Sequence, residues 1–239
     1  MPTDLVRGLK AHGPSPAMTT EARVEAIGHR RFLRLRGQRF AASVAYERGD
    51  FVMSITAASP PVFTIGHSTR EVAELADLLG KAGVELLLDV RSVPRSRTNP
   101  QFNADALPGP LAAIGIACRH LSALGGLRGR RKEAGPSPNT MWHNDAFRNY
   151  AGYAATDAFR AGLDELMALA RDRRCAIMCA EAVWWRCDRR IIADYLLAQG
   201  VPVQHIMGAG KIEAATLTPG AQPLPDGTIV YPAPEDNQP

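Results

Sequence analysis

Residues 178–190, MCAEAVWWRCDRR, place two cysteines, a glutamate, two tryptophans and three arginines within one short stretch. Those types support three chemistries. Zinc binding is the weakest, because seven residues separate Cys179 from Cys187 where a structural site spaces its close pairs by about two to four. With no second close pair, no metal ligand set is assigned. A thiol nucleophile fits better. Cys187 stands just ahead of an expected helix start, beside Arg186 and Arg190, and both influences lower a thiol pKa. The Cys–Arg spacing of the phosphatase loop is absent, and both cysteines could instead be small apolar residues under the loop. An anion-binding loop fits best. A strand ends, a loop follows, and a helix begins with unsatisfied N–H groups flanked by arginines. Glu181 is then a carboxylate among cations, suited to a general base or to pairing with an arginine.

Other segments offer partners for that loop. DVRSVPRSRTNPQFN, residues 89–103, contributes Asp89, Arg91, Arg95, Asn99 and Phe102. Arginine, amide and aromatic groups together are what phosphate contacts and base stacking require. GGLRGRRKEAGPSPNTMWHN reads as a basic lid, with Arg128 reaching the same ligand. His67 is a candidate acid or base, and Ser68 follows it at a strand end.

The elements that must position these groups alternate. VFTIG, VELLLDV, IACRHL, CAIMCAE and VPVQHIM read as strands. Near-continuous apolar runs of this kind belong to strands covered on both faces. Between them, residues 68–83 read as a helix opened by a Ser68–Glu71 capping box and closed by Gly83. Residues 156–171 form a second, with Phe159, Leu163, Leu166, Met167 and Ala170 inward. Residues 188–200 form a third, with Asp188 as N-cap and Gly200 as stop. The expected fold class is therefore α/β: a mainly parallel sheet with helices on both faces, Rossmann-like and three-layered. Ligands of such sheets bind beyond the carboxyl ends of the strands, which is where His67, Asp89, Arg91 and Glu181 fall.

Residues 1–59 read as a basic, irregular extension, 60–212 as the α/β domain and 213–239 as a Pro/Gly-rich irregular tail. The hydrophobic fraction of 46% and charged fraction of 22% are those of an ordinary globular chain. No apolar run approaches the ~18 residues of a membrane span. Four cysteines and no visible leader suggest reduced thiols and a cytoplasmic setting. A net charge of +4 suits anionic ligands without implying nucleic acid by itself.

TIGHSTR, LLDVRSVPRSRTNPQFN, HLSALGGLR, SPNTMWHNDAFRNYAGY and MCAEAVWWRCDRRIIADYL together resemble the DUF488 family over about residues 62–210. Members of that largely uncharacterised family are sometimes labelled DNA repair proteins. The family usually has Cys-His-Arg where this chain has Cys187, Asp188 and Arg189, so the resemblance carries no role for that histidine here. The expected function is a hydrolase or transferase acting on a phosphate-bearing small molecule or nucleic acid, with Glu181, His67 and Cys187 as reacting groups. The alternative is a non-catalytic nucleic-acid-binding module linked to repair. A third class, a redox or metal protein, would use Cys179 and Cys187. No cofactor is assigned, and no membrane partner is expected.

Overall fold

The computed structural model describes residues 23–128 and 135–234, apart from 28–29, 36–37, 48–49 and 58. The chain divides into two compact units, Met1–Ala58 and Ser59–Pro239. In the first, β1 (Arg23–Ile27), β2 (Arg30–Leu35), β3 (Gln38–Glu47) and β4 (Asp50–Ala57) pair as an antiparallel meander. The sequence reading expected irregular chain here. Its crowd of arginines hides short β-prone runs such as ASVAY within β3 and FVMSIT within β4. Residues 1–22 of the expected basic arm lie outside the described residues.

The second unit is built on one six-stranded sheet. Its strands are β5 (Val62–Gly66), β6 (Leu86–Asp89), β7 (Ala117–His120), β8 (Cys175–Cys179), β9 (Val203–Gly208) and β10 (Lys211–Ala214). They lie in the order β10-β9-β5-β8-β6-β7. Only β10 runs antiparallel to its neighbour. Every residue of β5, β6 and β8 is buried, as their unbroken apolar runs require.

Alternation along the strands splits the core between the two faces. Ile65, Leu87, Ala176 and Met178 pack with Leu75, Leu78 and Leu79 of α1 (Val72–Lys81) and Leu111 of α2 (Pro108–Ala112). Leu86, Leu88, Cys175 and Ile177 pack on the other side against α3 (Asp145–Ala154), α4 (Asp157–Asp172) and α5 (Arg189–Ala198). This is the expected α/β sheet with helices on both faces. The inward stripe of α4 is Phe159, Leu163, Leu166 and Ala170, with Met167 partly buried.

Two helix starts differ from their sequence signatures. Ser68 does not cap α1; Glu71 occupies the N-cap position without a side-chain bond. Ser68 instead sits at φ 50° and donates its N–H to Ala180 O at 3.0 Å, so sheet pairing continues past β5 and outcompetes the cap. Asp188 does hold the N-cap position of α5, but its carboxylate makes no capping bond. Gly83 and Gly200 end their helices at φ 66° and 77°, a region that glycine enters without strain.

Beyond β10, apart from the two-residue strands β11 (Gln222–Pro223) and β12 (Ile229–Val230), the backbone is irregular, yet it is tied into the core. Ile229 and Tyr231 are buried. Asp194 of α5 accepts from Thr218 N at 2.8 Å and from Tyr231 Oη at 3.0 Å. No helix among the described residues is long and apolar enough to cross a membrane.

Candidate functional site at the carboxyl ends of the strands

Pairing beyond the strands brings several segments together. His67 N donates to Cys179 O at 2.9 Å, Val90 N to Met178 O at 3.0 Å and Leu121 N to Asp89 O at 2.9 Å. The segments after β5, β6, β7 and β8 therefore meet at one end of the sheet. α1 leaves β5 on one face while α5 leaves the adjacent β8 on the other, which opens a crevice at that point. Gly66 permits the crossing: a Cβ there would lie 1.8 Å from Glu181 O.

The first cluster is centred on Arg91. Its Nε donates to both Asp89 oxygens at 2.9 and 3.1 Å, and its Nη2 donates to Asp89 Oδ2 and to Phe102 O, each at 2.5 Å. Its Nη1 reaches His67 Nε2 at 3.2 Å. His67 Nδ1 lies 2.8 Å from Ser68 O, an acceptor only, so Nδ1 carries the hydrogen and Nε2 accepts from Arg91. Burial, with the Arg91 charge adding to it, lowers the His67 pKa against the opposing Ser68 bond. These influences favour the neutral ring, which stacks on Phe102 at 4.2 Å. Here the structure brings His67, Ser68, Asp89, Arg91 and Phe102 into one bonded group, whose guanidinium is largely satisfied from within.

The second cluster is centred on Cys187. The sulfurs of Cys179 and Cys187 are 2.6 Å apart, and Arg189 Nε lies 3.4 Å from Cys187 Sγ. Arg189 is only 1% exposed and donates through Nη2 to Glu181 O at 2.6 Å. Because the guanidinium faces Cys187, the arrangement favours a thiolate on that sulfur with Cys179 as the hydrogen-bond donor. The bond from Cys179, supported by the Arg189 charge, lowers the Cys187 pKa despite burial. Burial pushes the Cys179 thiol up. Asp188 packs against Gly126, where a Cβ would overlap its Oδ2. Tyr150 and Tyr153 hold that glycine loop in place, donating to Leu124 O and Ala123 O at 2.7 Å each.

Burial, with the Cys187 and Glu181 charges next, raises the Asp188 carboxyl to about 7. The proton on Asp188 is thus bound more tightly in the folded chain than in the unfolded one. Stability linked to this group is fully present below the ordinary carboxyl value, and it is lost as pH rises through about 7. Asp188→Asn is expected to remove that dependence. Urea unfolding at mildly acidic and mildly alkaline pH would find the variant's advantage over wild type growing with pH. An advantage that shrinks with pH would contradict the assignment.

A third group lies behind the loop. His205 of β9 stacks on Trp184 at 4.4 Å, and its Nδ1 lies 2.8 Å from Thr64 Oγ1. Burial depresses its pKa to about 4.

The remaining sequence candidates make no side-chain bond into either cluster. Glu181 and Arg186 are exposed on the loop between β8 and α5, and Arg95 is exposed on the loop after β6. Asn99 is half-buried there, its backbone N donating to Ser96 Oγ at 3.0 Å. Arg128 is committed to Gly125 O and Ser122 O at 2.9 Å each, and lies 3.8 Å over the Tyr153 ring. Arg190 donates to Thr218 Oγ1 at 2.9 Å and faces the Trp142 ring, so it stitches the tail to α5. Part of the expected basic lid, residues 129–134, lies outside the described residues.

Sequence reasoning favoured Arg186 and Arg190 and passed over Arg189. A signal for it existed. Arg189 heads the buried stripe of α5 that continues through Ile192, Ala193 and Leu196, the i, i+3, i+4, i+7 pattern of a core face. Among the described residues there is no group of three or more His, Cys, Asp or Glu side chains placed to hold a metal ion.

The family model described as "Domain of unknown function DUF488" matches residues 71–196, more than half of the chain. The chain belongs to this family. The DUF488 match begins at the N-cap of α1 and ends within α5. It thus encloses Asp89, Arg91 and Phe102 together with the whole Cys179–Arg189 cluster, while His67 and His205 lie beyond its two ends. No curated protein and no solved structure matches the chain.

Proposed function

We propose that the DUF488 strand end binds a phosphate-bearing ligand, a nucleotide or nucleic acid, and that Cys187 is the nucleophile of a hydrolase or transferase reaction there. The main support is the contact of Cys187 with Cys179 and the buried Arg189, which favours a thiolate at the start of α5. In this reading the sulfur attacks phosphorus as the bond to the leaving oxygen breaks, and the Asp188 carboxyl supplies a proton to that oxygen. Glu181, exposed on the same loop, then takes a proton from the water that cleaves the sulfur–phosphorus bond and returns the thiolate. Arg186 meets the ligand's charge. His67 and Arg91 position the floor of the site. The chemistry needs reduced thiols and so a reducing, cytoplasmic setting.

The test is titration of the full chain with nucleoside triphosphate, with turnover followed in parallel. Arg186→Ala is expected to weaken binding by about 1.5–3 kcal/mol through loss of a charge-assisted bond. It should change folding stability by less than about 1 kcal/mol, as an exposed side chain does. Ile177→Ala, a cavity in the core, should instead cost about 2–5 kcal/mol of stability. An Arg186→Ala chain as unstable as Ile177→Ala would make the arginine structural and overturn its role. DNA binding that falls steeply with salt, without turnover, would favour the nucleic-acid-binding module instead.

A further inference from the structure

Four cysteines lie in the described chain, and two of them behave as inert packing. Burial raises Cys118 and Cys175 to about 11 each, so neither carries a useful thiolate fraction. The other two are placed differently. Cys179 closes β8 and Cys187 stands just before Asp188, the N-cap of α5. The loop joining them includes Glu181, Trp185 and Arg186, all exposed, with Trp185 retaining 45% of its surface. Their sulfurs touch within the core, 8% and 7% exposed as residues. A catalytic nucleophile needs one thiol, and the reaction proposed above leaves Cys179 with no chemical step of its own.

We propose that Cys179 and Cys187 form a dithiol–disulfide couple whose oxidation by a small-molecule disulfide switches the strand-end site off. The idea rests on the proposed nucleophilic role of Cys187 for its regulatory meaning, but not for its chemistry. The Cys187 thiolate attacks one sulfur of the small disulfide, forming a mixed disulfide and releasing one thiolate. Cys179 then loses its proton and attacks Cys187 Sγ. The internal disulfide forms and the second small thiolate leaves. One small-molecule disulfide is reduced to two thiols for each protein disulfide made, and no other oxidant is required. The order of attack follows from the placement of Arg189, which faces Cys187. Oxidation also removes the negative sulfur beside Arg189, freeing a buried guanidinium whose remaining described partner is Glu181 O. The loop bearing Glu181 and Arg186 would feel that change directly.

The experiment equilibrates the full-length chain in glutathione buffers of increasing disulfide content, quenches with acid, alkylates under denaturing conditions and counts labelled thiols by mass spectrometry. The wild-type chain is expected to pass from four labelled thiols to two, with Cys118 and Cys175 retaining the label. Cys179→Ser should accumulate glutathione on Cys187, because nothing resolves the mixed disulfide. Cys187→Ser should stay unmodified at Cys179. Four labelled thiols at every buffer ratio, or a disulfide involving Cys118 or Cys175, would overturn the couple. Because thiols are counted on the wild-type chain, a poorly folding variant does not obscure the result. The nucleophile reading stands or falls separately. Rapid alkylation of reduced Cys187 with no disulfide would sink the couple alone. A disulfide that forms while Cys187 titrates as an ordinary thiol would support the couple and sink the nucleophile.

Discussion

Gly66→Ala is expected to destabilise the chain by more than about 4 kcal/mol, a loss seen only when a substitution has nowhere to go. The added Cβ would lie 1.8 Å from Glu181 O, 2.8 Å from its carbonyl carbon and 2.9 Å from Arg189 Nη2. Two of those atoms are backbone and cannot rotate away. Relief requires parting the segments after β5 and β8, which breaks the bonds from His67 N to Cys179 O and from Ser68 N to Ala180 O. It also pulls the Glu181 carbonyl off Arg189. Gly80 provides the control. It lies exposed within α1, and a Cβ there meets nothing within 4 Å. Gly80→Ala should therefore stabilise the helix by about 0.5–1 kcal/mol. Urea unfolding of both variants beside wild type measures the difference. A Gly66→Ala chain within about 1 kcal/mol of wild type would mean that the strand end is not closed as described.

The second large effect is expected at Arg189. Arg189→Leu removes the buried partner of both Glu181 O and the Cys187 sulfur. Breaking such a buried pair from one side costs about 3–5 kcal/mol, because the charge left behind has no compensation. The chain can lessen that cost by protonating Cys187, so its thiol should titrate at higher pH in the variant. Arg189→Lys keeps the charge but not the planar fork that meets the carbonyl and the sulfur together, and should fall between Leu and wild type on both measures. A loss of stability with no movement of the Cys187 titration would make Arg189 a packing residue only. Unchanged stability would place the guanidinium outside the core.

The α/β sheet was legible because its strands are buried on both faces, and full burial writes itself as runs such as LLLD in β6 and CAIMC in β8. The stops at Gly83 and Gly200 were legible because a left-handed residue selects glycine. The meeting of His67, Asp89 and Arg91 followed from their shared position after successive strands. The Ser68 cap did not appear, because a local signature cannot register that β8 continues alongside and takes the Ser68 N–H. Helix α3 was missed: Tyr150, Ala151 and Ala154 are its buried residues, and its apolar face is short. Arg189 was missed because charge was read as exposure. Its burial depends on two sulfurs and a carbonyl that only the folded chain brings to it. The anchoring of the tail by Asp194 and Tyr231 is likewise a pairing between residues far apart in sequence.

The central claim, a thiolate at Cys187 serving an anion site, is tested most directly by the pH dependence of alkylation. The reduced full-length chain is treated with iodoacetamide across neutral and alkaline pH, and the modified residue is identified by mass spectrometry. The account predicts that Cys187 reacts first, with a midpoint well below the ordinary thiol value of about 8.5, in keeping with its lowered pKa. It also predicts that inorganic pyrophosphate slows the reaction by occupying the same site. A midpoint at or above the ordinary value, with no protection by pyrophosphate, would contradict it.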